Sequence, residues 1–245
     1  MGASLNEDFN FYSQCSSNEK LIQWCYAIES GITVIIDVWS DVVCPWCFIG
    51  RRRLQKALAG FTHSEDVVVR HRAFQLQPEI STVLPTSEYL LSKYRMEPVA
   101  LKQMQSNVCT IAQEEGLSYE LDETLSGNTL DAHRLLLWSD GFGKQDVLIE
   151  AMYSGYFEKG LPLFTHLDLL AMTDQVGIDR VAAGEVLASG EFRSEVARDG
   201  QLAQELGATG VPFFVFDMKY AISGAQPLDA FIQTLESAWR SKAIS

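Results

Sequence analysis

Ile32-Thr33-Val34-Ile35-Ile36-Asp37-Val38-Trp39-Ser40-Asp41-Val42-Val43-Cys44-Pro45-Trp46-Cys47 is the stretch that decides the fold. Its first part is apolar on both faces, the pattern of a strand buried in the middle of a sheet. A helix is expected from about Cys44 to Ala59, with Gly60 as its stop. Pro45 suits the first helical turn, where a missing N–H costs nothing. A C-x-x-C pair at a strand-to-helix junction reads as a redox dithiol. The amide N–H groups and the positive end of a helix favour a thiolate at the first cysteine. Three residues on, the second is placed to close a disulfide with it. Cys47, Gly50, Leu54 and Leu58 fall on one helical face. Cys47 is therefore expected to point into the core, with Cys44 at an exposed tip.

Working outward, Val67-Val68-Val69-Arg70-His71-Arg72-Ala73-Phe74 reads as a second strand, which makes a βαβ unit with parallel strands. From about Thr86 to Leu206 the pattern is helical. Leu101, Met104, Val108 and Ile111 mark one amphipathic helix between Pro98 and Gly116. Others are expected over Leu130–Trp138, Val147–Phe157 and Leu167–Val176, near Arg180–Ala188 and over Glu191–Leu206. Thr165 with Asp168 makes a capping-box-like start to the third of these. Pro212-Phe213-Phe214-Val215-Phe216 and Tyr220-Ala221-Ile222 flank a short turn around Asp217-Met218, a hairpin signal. Pro227 opens a last amphipathic helix carrying Leu228, Phe231, Ile232 and Leu235. Residues 1–31 read as an N-terminal extension without clean periodicity.

The 245 residues suffice for one large domain or a domain with an insertion, and 47 % hydrophobic residues supply a core without disulfide staples. A net charge of −13 argues against nucleic acid and against an anionic membrane surface. No stretch approaches the length of a membrane span, and the first residues lack a basic n-region and an apolar h-region. Asn6 breaks the myristoylation pattern. A cytoplasmic protein is the expectation. Its five cysteines are an odd number without the spacing of a disulfide scaffold, so the close pair reads as catalytic or metal-binding. Zinc wants four ligands. Cys15 and Cys25 are too far apart for a second knuckle, and no His-x-x-x-His-type pair occurs, so no metal site is expected.

Trp39-Ser40-Asp41-Val42-Val43-Cys44-Pro45-Trp46-Cys47, Asn128-Thr129-Leu130-Asp131-Ala132-His133-Arg134 and Gly207-Ala208-Thr209-Gly210-Val211-Pro212-Phe213-Phe214-Val215 together resemble the DsbA-like thiol–disulfide oxidoreductases of the FrnE type, in the thioredoxin superfamily. The resemblance covers about Thr33 to Trp239. It implies an α/β, thioredoxin-like fold in the order β-α-β … β-β-α with a large inserted α-helical domain. The thioredoxin-like part would be discontinuous, 32–80 and 207–245, with the insert over 81–206. It also implies a cis bond between Val211 and Pro212, facing the dithiol. A cis proline leaves the preceding N–H and C=O free for a substrate backbone. One departure stands out. Thioredoxins keep a buried carboxylate six residues before the first cysteine, and here that place is Val38. Asp37 and Asp41 lie nearby, and the sequence assigns the role to neither.

The resulting expectation is a protein-disulfide oxidoreductase in which Cys44 and Cys47 are catalytic and Trp46, Val211 and Pro212 contact the substrate. A disulfide-containing protein or a small-molecule thiol would be the substrate. No bound cofactor is implied, though glutathione could serve as co-substrate. Cytosolic redox poise favours a reductase or an isomerase. A second reading is a glutathione-dependent isomerase or transferase related to 2-hydroxychromene-2-carboxylate isomerase, with Asn128 and Val211 as candidate glutathione contacts. A third is a non-catalytic, chaperone-like binding module. Arg51, Arg52 and Arg53 read as a solvated helix face, His133 and Arg134 as capping or structural hydrogen-bonding residues, and Cys109 as a buried small hydrophobe. His63, His71 and His166 carry no functional expectation.

Overall fold

The computed structural model describes residues 33–243, so the N-terminal extension read over 1–31, with Cys15 and Cys25, lies outside the described residues. Strand β1 (Val34–Ser40) runs into helix α1 (Pro45–Ala59), which is followed by β2 (Val67–Ala73). β1 and β2 are parallel, in a register that sets Asp37 opposite Arg70. A pair of two-residue strands, β3 (Leu84–Pro85) and β4 (Leu125–Ser126), brackets α2 (Thr86–Tyr94) and α3 (Pro98–Glu114). Five helices follow: α4 (Leu130–Asp140), α5 (Gln145–Lys159), α6 (His166–Gln175), α7 (Arg180–Ala188) and α8 (Arg193–Glu205). The chain closes with the hairpin β5 (Phe213–Phe216) and β6 (Tyr220–Ser223), then α9 (Leu228–Ala243). The main sheet has the order β2-β1-β5-β6, with β5 antiparallel to both of its neighbours. This is the thioredoxin-like α/β fold with a helical insertion.

The alternation of strand side chains builds two layers. Val34, Ile36 and Val38 of β1 join Phe214 and Phe216 of β5 beneath Leu54 and Ala57 of α1 and Phe231, Leu235 and Ala238 of α9. On the opposite face Trp39, Phe213 and Val215 pack against Ala203 of α8. The Trp39 indole N–H donates to the Asp199 carbonyl at 2.8 Å, so this large side chain is buried with its donor satisfied. At the hairpin tip three residues, Asp217, Met218 and Lys219, join the strands; Asp217 and Met218 both have positive φ, 49° and 55°, and the Lys219 N–H donates to the Phe216 carbonyl at 2.9 Å. The Asp217 carboxylate accepts the Ile35 N–H at 2.9 Å and ties the turn to β1.

The largest core belongs to the inserted helices, and α1 reaches into it. Val42, Cys44, Cys47, Phe48 and Ile49 cluster with Val108 and Ala112 of α3, Leu135 and Leu136 of α4, and Leu148, Met152, Tyr153 and Phe157 of α5. Phe48 sits at the centre of an aromatic group, its ring 5.0 Å from Tyr153 and 6.2 Å from Tyr119. Thus α1 is shared: its first turns belong to the insert's core and its last turns to the sheet's. The expected capping box is present, Thr165 accepting the Asp168 N–H at 3.2 Å while Asp168 accepts the Thr165 N–H at 2.9 Å. Two expectations need correction. Arg51 is not on a solvated face but 7 % exposed, bound to Asp146 at 2.9 Å and to Glu150 at 2.9 Å, because α5 packs across α1 at that point. Cys109 is half-buried rather than fully buried. Among the described residues no helix is long and apolar enough to cross a membrane.

Candidate functional site

Cys44 is the N-cap of α1, with extended backbone (φ −94°, ψ 112°), and Pro45 takes the first helical position. The turn ahead of it is tight: the Cys44 N–H donates to the Asp41 carbonyl, and the Cys47 N–H to the Cys44 carbonyl, both at 3.0 Å. Two successive backbone turns thus link Asp41, Cys44 and Cys47. Both cysteines are free thiols.

Chain-distant residues close the site. The peptide bond between Val211 and Pro212 is cis, as the resemblance implied. The Cys44 thiol donates to the Val211 carbonyl across 3.5 Å. Gly50 allows the approach from the other side: a Cβ there would stand 3.0 Å from Pro212 Cγ and 3.1 Å from Phe214 Cζ. Trp46 is half-buried against the insert's core, and so is Val211. The Tyr119 hydroxyl donates to the Pro45 carbonyl at 2.8 Å, anchoring the loop after α3 to the first turn of α1.

The expected contrast between an exposed Cys44 and a buried Cys47 does not hold. Cys44 is 4 % and Cys47 2 % exposed. Helical periodicity describes one helix against one core, whereas here Val211 and the inserted helices cover the helix tip as well. Burial pushes the Cys47 thiol well above its usual range. The hydrogen bond with Cys44, the Cys44 charge and the Asp41 carboxylate add to this, while the Asp41 backbone N–H opposes it. Tyr119 is driven up by burial, then by the charges of Cys44 and Cys47, so its hydroxyl stays protonated.

Of the two candidate carboxylates, Asp37 is committed to the sheet: it takes Arg70 at 2.9 and 2.7 Å and Arg72 at 2.8 Å. Asp41 is fully buried, and its Oδ2 accepts the Leu76 N–H at 2.8 Å. Asn128 is spent on local structure, accepting from Gln75 and from the Leu130 N–H and donating to the Pro78 carbonyl. Arg134 is fully buried and feeds the carbonyls of Val186, Leu187, Ser189 and Glu191, the structural role expected of it. His133, on the preceding position of α4, points elsewhere, towards Asp41. Sequence reasoning did not join Asp41 to His133, nor Tyr119 to Pro45. Each pairing joins the start of α1 to a residue inside the insert, far along the chain, and only the short distance from Asp41 to Cys44 hinted at either. A separate cavity of about 280 Å³, lined by Lys56, Phe61, His63 and Trp239 among others, lies at the far end of α1 from the dithiol.

Comparisons with known proteins agree with this geometry. The "probable DsbA oxidoreductase" SCO1869 from Streptomyces coelicolor superimposes with a TM-score of 0.81 at 38 % identity, over 84 % of this chain and 90 % of that one. The Bacillus subtilis protein YwbO is 22 % identical over 219 residues, 86 % of this chain and 100 % of its own. A 2-hydroxychromene-2-carboxylate isomerase shares the fold, with a TM-score of 0.63 at 16 % identity over 85 % of this chain and 98 % of that one. The family model for the DSBA-like thioredoxin domain matches residues 35–236, most of the chain, and the protein belongs to that family.

Proposed function

We propose that the protein is a dithiol–disulfide exchange enzyme in which Cys44 attacks and Cys47 resolves. The observation that carries this reading is the thiol of an N-capping Cys44 facing the carbonyl of a cis Val211–Pro212 bond at 3.5 Å, with a second thiol one turn below. The positive end of α1 favours negative charge on the Cys44 sulfur. As a thiolate, Cys44 attacks one sulfur of a substrate disulfide. That S–S bond breaks, one substrate thiolate leaves and takes up a proton, and a mixed disulfide joins Cys44 to the other half. Cys47 then loses its proton and attacks Cys44. The second substrate thiol leaves, and a Cys44–Cys47 disulfide remains. The reverse sequence oxidises a dithiol. Val211 and Pro212 offer backbone groups to an extended substrate, and Trp46 an aromatic surface beside the reacting sulfur. The substrate is a protein disulfide or a small disulfide such as oxidised glutathione.

The glutathione-dependent isomerase reading finds less support. That chemistry needs no second thiol, and Asn128, one of its two candidate contacts beside Val211, has its side chain engaged within the fold. Redox titration in glutathione buffers, read by mass-tagging free thiols, tests the dithiol reading. A single two-electron transition, lost in Cys44→Ser, is expected, and Cys47→Ser should accumulate a mixed disulfide on Cys44. Absence of any Cys44–Cys47 disulfide across the buffer range would overturn the reading and leave glutathione conjugation or isomerisation to be assayed.

A further inference from the structure

The cavity at the far end of α1 from the dithiol is apolar and aromatic inside and cationic at its rim. Leu235 of α9 is fully buried beneath it, while Ile232, three residues earlier on the same helix, is 37 % exposed. Phe61, His63 and Trp239 form one wall. The His63 and Trp239 rings stack at 3.9 Å, and Phe61 stands edge-on to Trp239 at 6.1 Å. All three rings are half-buried, so each is left partly uncovered. Two cations, Lys56 and Arg240, line the cavity with exposed heads, against one carboxylate, Glu236. Uncovered apolar side chains gathered in this way, with a polar rim, mark a contact surface.

The described chain begins at this same end of the molecule. Val34, the first residue of β1, belongs to the buried cluster that holds Ala57 and Leu235, which line the cavity. Phe61 and Trp239 pack against that cluster. The end of α9 arrives there too: Lys242 binds Asp217 at 3.1 Å, and Asp217 accepts the Ile35 N–H. Residues 1–32 therefore lead into the fold beside the cavity. Their sequence is acidic and aromatic, with Glu7, Asp8, Glu19 and Glu29 against Lys20. Within it Leu21, Trp24, Cys25 and Ile28 are spaced i, i+3, i+4 and i+7, the spacing of one helical face. From Ile28 to Val34 an extended chain spans about 20 Å, enough to carry this stripe from the foot of β1 to the cavity beside it.

We propose that the cavity is a docking groove for the chain's own segment 21–28, which lays Leu21, Trp24, Cys25 and Ile28 against Ile232, Phe61 and Trp239. Glu19 and Glu29, at the two ends of the segment, meet the Lys56 and Arg240 cations. A separate partner has to bury about 800 Å² per side for a stable complex. A segment tethered a few residues away is instead present at millimolar effective concentration, so a groove of this size suffices to hold it. The docked segment covers the uncovered rings and ties α9 to the last turn of α1. It acts at the opposite end of α1 from Cys44 and is independent of the dithiol chemistry.

The test is a disulfide trap in the full chain. Cys15, Cys44, Cys47 and Cys109 are changed to serine, which leaves Cys25, and a second cysteine is placed by Ile232→Cys. Val181→Cys, at an exposed position of α7 in the helical insert, is the matched control. On treatment with diamide at low-micromolar protein, the Ile232→Cys chain should form a cross-linked monomer at least about tenfold faster than the control. Equal rates at the two positions would overturn the docking. Cross-linked dimers without cross-linked monomers would overturn it in favour of a second copy in the groove. Should the multiply substituted chain not fold, hydroxyl-radical footprinting decides. Trp24→Asp in the otherwise natural chain should raise the oxidation of Phe61 and Trp239 severalfold and leave Phe142, exposed just after α4, unchanged. Oxidation of Phe61 and Trp239 that is indifferent to Trp24→Asp would refute the docking.

Discussion

Gly50→Ala puts a methyl group where α1 meets the cis-proline loop, and its outcome is set by two opposed quantities. Alanine in a helix interior is favoured over glycine by about 1 kcal/mol. Against that, the new Cβ would stand 3.0 Å from Pro212 Cγ and 3.1 Å from Phe214 Cζ. Pro212 has a rigid ring, and Phe214 is fully buried under α9 with its ring 4.9 Å from Phe231, so neither can swing away. Overpacking of a core costs about 1–3 kcal/mol. The net expectation is a destabilisation of about 0–2 kcal/mol. Gly200→Ala is the matched control. Gly200 also lies inside a helix, α8, but nothing stands within 4 Å of its would-be Cβ. That variant should gain about 0.5–1 kcal/mol. Urea unfolding of both variants beside the wild type gives the two signs directly. Mixed-disulfide formation at Cys44 should slow in Gly50→Ala and not in Gly200→Ala, because only the first displaces the loop that carries Val211. A Gly50→Ala protein as stabilised as Gly200→Ala, with unchanged thiol reactivity, would refute the claim that this contact sets the loop's position.

Phe48→Ala should destabilise the protein by about 3–5 kcal/mol in denaturant unfolding, since it empties a fully buried site among Tyr119, Tyr153 and Phe157; a loss below about 1 kcal/mol would mean that the aromatic cluster collapses to fill the space. His71 gives a pH prediction. Burial pushes its imidazole down; the hydrogen bond with Asp146 pulls the other way, and the nearby Arg51 charge adds to the lowering. The unfolded chain therefore binds a proton more readily than the fold does. The resulting stability is present above the ordinary histidine value of about 6.5 and falls, by at most about 1.4 kcal/mol per pH unit, as the pH drops from there through the folded value. Thermal unfolding of His71→Gln from neutral to mildly acid pH should show a flatter slope in that window, and an unchanged slope would exclude His71 as its source.

Much of the architecture was legible because it is written locally. The doubly apolar run from Val34 to Ile36, Pro45 ahead of a helical face and the Asp217-Met218 turn each fix an element through nearby residues. The β3–β4 pair was not legible, since two residues per strand leave no periodicity to detect. Arg51 was misread for a related reason: the acidic partners that bury it, Asp146 and Glu150, stand on α5, far along the chain. At the site, Cys44 and Cys47 announce themselves by spacing, and Pro212 does so once a resemblance is granted. The burial of Cys44 and the meeting of Asp41 with His133 are products of tertiary packing, and no local pattern encodes them.

The Cys44 thiol and the Val211 carbonyl that accepts it are separated by 167 residues of chain. During synthesis the dithiol therefore leaves the ribosome long before the loop that covers it exists. Throughout that interval β1 lacks β5, its partner on one edge, and the two sulfurs have only half a site. Pairings that must wait for distant segments are slow to form, and the exposed strand edge and bare thiols are open to wrong partners meanwhile. For this chain the order of synthesis itself leaves the two thiols without their cover until the C-terminal hairpin has formed.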